Sequence, residues 1–162
     1  MSNALVSLAC MFGMCGPGST SFDQLPLDQA IVYKFGNGSR TVAIFSDVDC
    51  APCRTMHREI EKLDDTTVYV FVYPLLSGGQ NQAVLEHIWC APDRRDALDR
   101  AMTGQTVADA SCDAPVKKNL GTGLALGIKS VPAMIAPNGK IKYGGQTSEE
   151  LARWIAANQK AR

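Results

Sequence analysis

The chain has 162 residues, about one domain, with 16 Lys and Arg against 16 Asp and Glu. A formal net charge of zero excludes a protein held to nucleic acid or an anionic membrane by bulk charge. With 46% apolar and 20% charged residues the chain is globular rather than disordered. No apolar run reaches the roughly 18–20 residues that a membrane-spanning helix needs.

Ala4 to Gly16 is apolar and uncharged, and a small-residue, turn-forming stretch, Pro17 to Ser21, follows it. The apolar run resembles the core of a secretory signal, although no Lys or Arg precedes it. Residues 1–21 therefore read as a tail, either a targeting or linker remnant or a plain extension. Its Cys10 and Cys15 are either idle or oxidised to each other.

From Phe22 onward strands and helices alternate. Ala30 to Phe35 is a short β-prone run ended by the turn Gly36-Asn37-Gly38, and Thr41 to Asp47 reads as a buried strand. Ala51 to Leu63 reads as a helix, with Pro52 in its first turn and Met56, Ile60 and Leu63 at helical spacing. Thr67 to Tyr73 is the clearest strand, apolar enough to lie centrally with both faces covered.

After the polar break Ser77-Gly78-Gly79, helices are expected over Gln82 to Cys90, Asp93 to Met102 and Pro115 to Leu126, the last stopped by Gly127. Pro132 to Ala136 and Lys140 to Tyr143 form a hairpin about Asn138-Gly139. Ser148 to Asn158 closes the chain as a helix, with Ser148 as its N-cap. The order is β-β-α-β, a helical insertion over about residues 80–127, then β-β-α. That order describes an α/β fold, a mixed central sheet flanked by helices.

Six cysteines fall below the roughly 8–10% of a disulfide scaffold, so their spacing matters more than their number. Cys50-Ala51-Pro52-Cys53 stands where a buried strand hands over to a helix. At a helix N-terminus, unpaired N–H groups and the macrodipole favour a thiolate, which activates Cys50. Cys53, one turn in, is placed to attack a mixed disulfide formed on Cys50. Asp47 and Asp49 oppose the thiolate.

Two further readings of the pair are an inert structural disulfide and half of a zinc site. Four of the five residues Cys50, Cys53, His57, His87 and Cys90 could form a tetrahedral site, although structural zinc favours loop-rich modules. A c-type haem site would require His where Arg54 stands.

Val131-Pro132 opens a strand and is either a cis or an ordinary trans bond. Packed against the CxxC, the Val131 backbone would pair with an extended substrate. Cys90 and Cys112 are either bridged or two buried thiols. His57, four residues after Cys53, reads as a thiol-tuning residue or as a partly exposed helix-surface histidine. Trp89 and Trp154 read as packing residues, and Asp93-Arg94-Arg95-Asp96 as a solvated helix start.

Several segments together resemble the catalytic thioredoxin-like domain of the periplasmic disulfide isomerases DsbC and DsbG. They are Phe22-Asp23-Gln24-Leu25-Pro26 with AIVYK, then GNGSRTVAIFSDVDCAPC, IWCAPDRRDAL, SCD at 111–113, GIKSVPAMIAPNGK and GGQTSEEL. The resemblance runs from Phe22 to the C-terminus and implies a thioredoxin-like catalytic domain over residues 22–162. It implies that Cys50 is the exposed nucleophile, Cys53 the resolving thiol, Pro132 cis and facing them, and Cys90–Cys112 a structural disulfide.

The implied activity is thiol–disulfide exchange with oxidised or misbridged periplasmic proteins, with a membrane electron donor of the DsbD type. No metal or organic cofactor is implied. Family members carry an N-terminal dimerisation domain, and residues 1–21 are too few for one, so the expectation is a catalytic domain without it. Ala51-Pro52 differs from the dipeptides of DsbC and DsbG, and Val131 stands where these isomerases usually have Thr, a feature similar to the oxidase DsbA. The rival readings are a dithiol oxidase and a non-catalytic thioredoxin-like chaperone or binding module.

Overall fold

The computed structural model describes residues 22–76 and 82–160. The expectations for residues 1–21, with Cys10 and Cys15, and for the break at Ser77-Gly78-Gly79 lie outside the described residues. Five strands form one mixed sheet: β1 (Ile31–Lys34), β2 (Arg40–Ser46), β3 (Thr66–Val72), β4 (Ala133–Ile135) and β5 (Ile141–Tyr143). Their order across the sheet is β1-β3-β2-β4-β5. β2 and β3 run parallel, and the other neighbouring pairs are antiparallel.

The parallel pair needs a crossover, which α1 (Ala51–Ile60) supplies. Among the described residues three helices stand between β3 and β4: α2 (Gln82–Cys90), α3 (Arg94–Met102) and α4 (Val116–Ala125). The chain closes with α5 (Ser148–Ala157). Among the described residues no helix is long and apolar enough to cross a membrane.

The period-2 geometry of β2 splits its side chains between two cores. Val42 and Ile44 join Met56 and Ile60 of α1, Leu98 of α3 and Leu151 and Ile155 of α5. Ala43 and Phe45 join Phe71, Tyr73, Ile128, Val131 and both Cys50 and Cys53 on the other face. Both faces are therefore covered, which is why β2 and β3 read as almost unbroken apolar runs.

Most element ends shift by one residue from the sequence reading, and three differences have a clear physical cause. α1 stops at Ile60, and Leu63 continues as a turn, its N–H donating to the Ile60 carbonyl. Leu63 remains buried, so its apolar spacing reported burial rather than helix. Asp93 is the N-cap of α3, its side chain accepting from the Asp96 N–H, not the helix's first residue.

The N-cap of α5 is Thr147, not Ser148. Thr147 and Glu150 form a reciprocal capping box, a pairing open to Thr147 and not to Ser148, which has Leu151 three residues on. Hydrogen bonds from Thr147 hold the Glu150 carboxyl below its ordinary 4.5. The Asn138-Gly139 hairpin forms as expected, with Gly139 at φ 84° in the left-handed region that a non-glycine residue rarely adopts.

Cys90 and Cys112 are joined by a disulfide between the end of α2 and the loop before α4. The bridge closes a loop of 22 residues. By chain entropy, replacing both cysteines by Ser is expected to lower the unfolding free energy by about 3 kcal/mol. Urea unfolding measures it, and a loss below about 1 kcal/mol contradicts the entropic account. Thr147→Ala is expected to cost about 1 kcal/mol, with Ser148→Ala nearly neutral, by the same measurement.

Candidate active site

β2 ends at Ser46, and the chain must reach α1 within four residues. The neighbouring strands supply the partners for that passage. The register sets Ser46 beside Val72 of β3 and Phe45 opposite Ala133 of β4. Beyond the ladders, Tyr73 and, four residues past Val72, Leu76 come to one side of the passage, and Pro132 and Val131 to the other.

Contacts follow this placement. The Tyr73 N–H donates to the Ser46 carbonyl (2.8 Å), and the Leu76 N–H donates to Asp47 Oδ2 (2.9 Å). Asp47 Oδ1 accepts the Asp49 N–H (3.1 Å), and the Asp47 carbonyl accepts the Cys50 N–H (3.2 Å). Arg54 Nε donates to the Val48 carbonyl (2.6 Å).

Cys50 is the N-cap of α1, with extended backbone (φ −92°, ψ 112°). Its Sγ accepts the Cys53 N–H (3.2 Å), one of the helix's otherwise unpaired donors. Pro52 occupies the first turn, where a missing N–H costs nothing. Cys50 and Cys53 are joined as a disulfide.

The same N–H that meets neutral sulfur here would stabilise a thiolate after reduction, together with the positive end of the α1 dipole. The Val131–Pro132 peptide bond is cis, and the Val131 carbonyl oxygen lies 3.5 Å from Cys50 Sγ. The Tyr73 hydroxyl donates to the Ile128 carbonyl (3.0 Å), which steadies the segment that carries Val131.

Two features depart from expectation. Cys50 is only 2% exposed and Cys53 1%, so the oxidised pair is closed rather than presenting an exposed nucleophile. The cover comes from residues near Val131, which are remote in sequence but adjacent through the β2–β4 register.

His57 is 5% exposed and does not sit on the helix surface. Its Nε2 lies 2.8 Å from Asp99 Oδ1 of α3, and that oxygen also accepts the Tyr33 hydroxyl of β1 (2.7 Å). The Tyr33 ring meets His57 edge-on and carries the Arg95 guanidinium 4.6 Å above its centre. This array ties α1 to β1 and α3 on the sheet face opposite the cysteines. Asp99 was missed in the sequence. Its only local signal is a carboxylate set between the buried Ala97, Leu98 and Ala101 of α3.

Glu59 holds α1 from another side. Its carboxylate accepts from Lys62 (2.6 Å) and from the Ser148 N–H of α5 (3.0 Å). Lys62 first, then Ser148, pulls this carboxyl below its ordinary 4.5. Beside Pro52, Thr55, Glu59, Gly145 and Gln146 opens a cleft of about 540 Å³, leading from the first turn of α1 toward α5.

The candidate zinc ligands are not brought together. Cys50 pairs with Cys53, Cys90 with Cys112 and His57 with Asp99, while His87 Nδ1 lies 2.8 Å from the Ala110 carbonyl oxygen. Trp89 is buried in the core, and Trp154 packs against it. The start of α3 is solvated as expected, with Arg94 also lying 3.9 Å over the Trp89 ring.

A parallel β2–α1–β3 unit, the β4–β5 hairpin, α5 and a CxxC opening α1 beside a cis-proline define a thioredoxin fold. The sequence profile of the thioredoxin-like domain matches residues 27–159, and the chain belongs to that family. It is 40% identical over 136 residues to a protein of Bordetella parapertussis named "Probable thiol:disulfide interchange protein DsbC", covering 83% of this chain and 47% of that one. The thiol:disulfide interchange protein DsbC of Escherichia coli is 30% identical over 137 residues, covering 82% and 57%.

The chain thus spans about half the length of the curated relatives it matches. The crystal structure of a disulfide interchange protein from Neisseria gonorrhoeae superimposes with a TM-score of 0.78 at 35% identity. It covers 85% of this chain and all of that one.

Burial first, then the bond to Asp99, pushes the Tyr33 phenol far above its ordinary 10.0. A raised folded value means that this contribution to stability is full below pH 10.0 and is lost as pH rises beyond it. Urea unfolding across that pH is expected to show stability falling in the alkaline limb, with a shallower fall in Tyr33→Phe. Equal slopes in the two proteins contradict the assignment.

Proposed function

We propose that this chain is a thiol–disulfide oxidoreductase, a reductase or isomerase of protein disulfides that works through Cys50 and Cys53. The observation that carries the reading is the Cys50–Cys53 pair at the N-terminus of α1, with Cys50 Sγ accepting the Cys53 N–H. The names of the similar proteins support it.

In the reduced protein the Cys50 thiolate attacks one sulfur of a substrate disulfide. An S–S bond forms to Cys50, and the other substrate sulfur leaves as thiolate and takes a proton from water. The Cys53 thiolate then attacks Cys50 Sγ. The second substrate thiolate leaves, so the substrate gains two electrons and the protein is left oxidised. If a second substrate thiolate attacks the mixed disulfide first, Cys50 is released reduced and the substrate is isomerised. Val131 and Pro132 are the substrate-binding residues of this reading, since their backbone flanks the reacting sulfur.

The reading extends to residues 22–162 as the catalytic domain, with the helices over about 80–127 as an insertion and Cys90–Cys112 as its structural bridge. It places the protein in the periplasm, acting on oxidised or misbridged proteins and reduced by a membrane electron donor of the DsbD type. Bridges that persist belong to oxidising compartments, which suits that location.

Thiol-dependent reduction of insulin is expected of the wild-type protein and is expected to vanish in Cys50→Ser. Cys53→Ser should retain attack but accumulate a mixed disulfide on Cys50, visible as a mass adduct that a reducing agent removes. Reduction by Cys50→Ser at the wild-type rate would overturn the assignment. Activity only in oxidising a reduced substrate would indicate the dithiol oxidase. Substrate binding without either reaction would indicate the binding module.

A further inference from the structure

Asp47 is the only carboxylate among the buried polar residues described, at 0% exposure. Both of its carboxylate oxygens accept backbone N–H groups, from Asp49 and from Leu76. Both oxygens thus serve as acceptors, which a carboxylate side chain supplies. The hydrogen bonds join two segments, the passage into α1 and the stretch after β3. The main-chain oxygen of Asp47 accepts the Cys50 N–H, closing a turn that keeps the two Cα atoms within about 7 Å.

We propose that Asp47 is a positioning residue that sets the reducing strength of the Cys50–Cys53 couple. Its carboxylate pins the passage that presents Cys50, and its buried charge makes the Cys50 thiolate harder to form. This inference rests on the exchange chemistry proposed above.

Several charges face this passage. The N-terminus of α1 and the Cys53 N–H favour the thiolate. Arg54, half-buried with Nε on the Val48 carbonyl, adds a positive charge on the same side. Asp49 is exposed, so solvent and salt screen its charge. Asp47 is shielded from that screening and opposes the thiolate from within the fold.

The redox consequence follows from the balanced couple: dithiol plus oxidised glutathione gives the protein disulfide plus two glutathione thiols. Only the dithiol side carries the thiolate. A charge that raises the energy of the thiolate therefore drives the couple toward disulfide and makes the protein a stronger reductant. Attack by Cys50 is unchanged in kind, and Asp47 touches no reacting atom.

The test compares wild type, Asp47→Asn and Asp47→Glu, each with its thermal unfolding recorded. Two readouts are taken: the pH dependence of Cys50 alkylation in the reduced protein, and the glutathione equilibrium of the pair. Asp47→Asn is expected to lower the alkylation midpoint by about one pH unit. It should also shift the glutathione equilibrium about tenfold toward the dithiol. Asp47→Glu keeps the charge and is expected to hold both readouts near wild type, whatever it does to the melting temperature. If the Asn variant does not fold, Asp47→Ser, which still accepts one N–H, carries the same expectation.

Midpoints and equilibria within twofold of wild type in the neutral variants would overturn the proposal. So would an Asp47→Glu variant that moves as far as Asp47→Asn, because that pattern belongs to a merely structural clamp. Failure of the wild-type pair to exchange with glutathione would defeat the exchange chemistry itself, while the alkylation midpoints would still decide the effect of Asp47 on the thiol.

Discussion

The structure turns on how a strand buried over its last five residues gives way to a helix. β2 is flanked by β3 and β4 and covered on both faces, so its end cannot fall back on water for hydrogen bonds. The ladders stop near Ser46, and α1 begins at Ala51 with N–H groups that need acceptors. One of these donors finds a sulfur, Cys50 Sγ. The proposed nucleophile is thus also a solution to a capping problem, and the chemistry proposed for it follows from the partner that solves it. An atom that accepts a helix N–H when neutral accepts it more strongly when charged.

The rest of the fold fixes where that end points. The face of Val42 and Ile44 is sealed by α1, α3 and α5, and the buried Tyr33–Asp99–His57 array locks α1 to β1 and α3. The opposite face holds Cys50 and Cys53 against Phe45, Phe71 and Val131. Glu59 ties α1 to the start of α5. Helix α1 is therefore held on several sides along its length, and its first turn has little freedom to shift. The cis Val131–Pro132 segment arrives beside it because β4 runs antiparallel to β2 and starts there.

Much of this was legible in the sequence because its signals are local. Hydrophobic periodicity located the strands and helices of the described residues to within a few residues. The strand–CxxC–helix order put Cys50 at a helix N-terminus, and Asn138-Gly139 marked its hairpin. What escaped depends on long-range contact. His57 read as a surface residue because its partners, Tyr33 and Asp99, come from other elements. The resemblance implied an exposed Cys50, whereas its cover comes from Val131, 81 positions away. Asp47 read only as a nearby negative charge, since the Leu76 N–H that binds it comes from beyond β3. Sequence spacing also left Cys90 and Cys112 open between a bridge and two thiols, and the structure joins them.

On the proposed function, one bridge reacts while the other holds the fold. Equilibrating the protein across a series of glutathione mixtures, then alkylating and mapping each cysteine by mass spectrometry, tests it most directly. Cys50 and Cys53 are expected to pass reversibly between dithiol and disulfide while Cys90–Cys112 stays bridged throughout. A Cys50–Cys53 bridge that never opens, or a Cys90–Cys112 bridge that opens first, would contradict it.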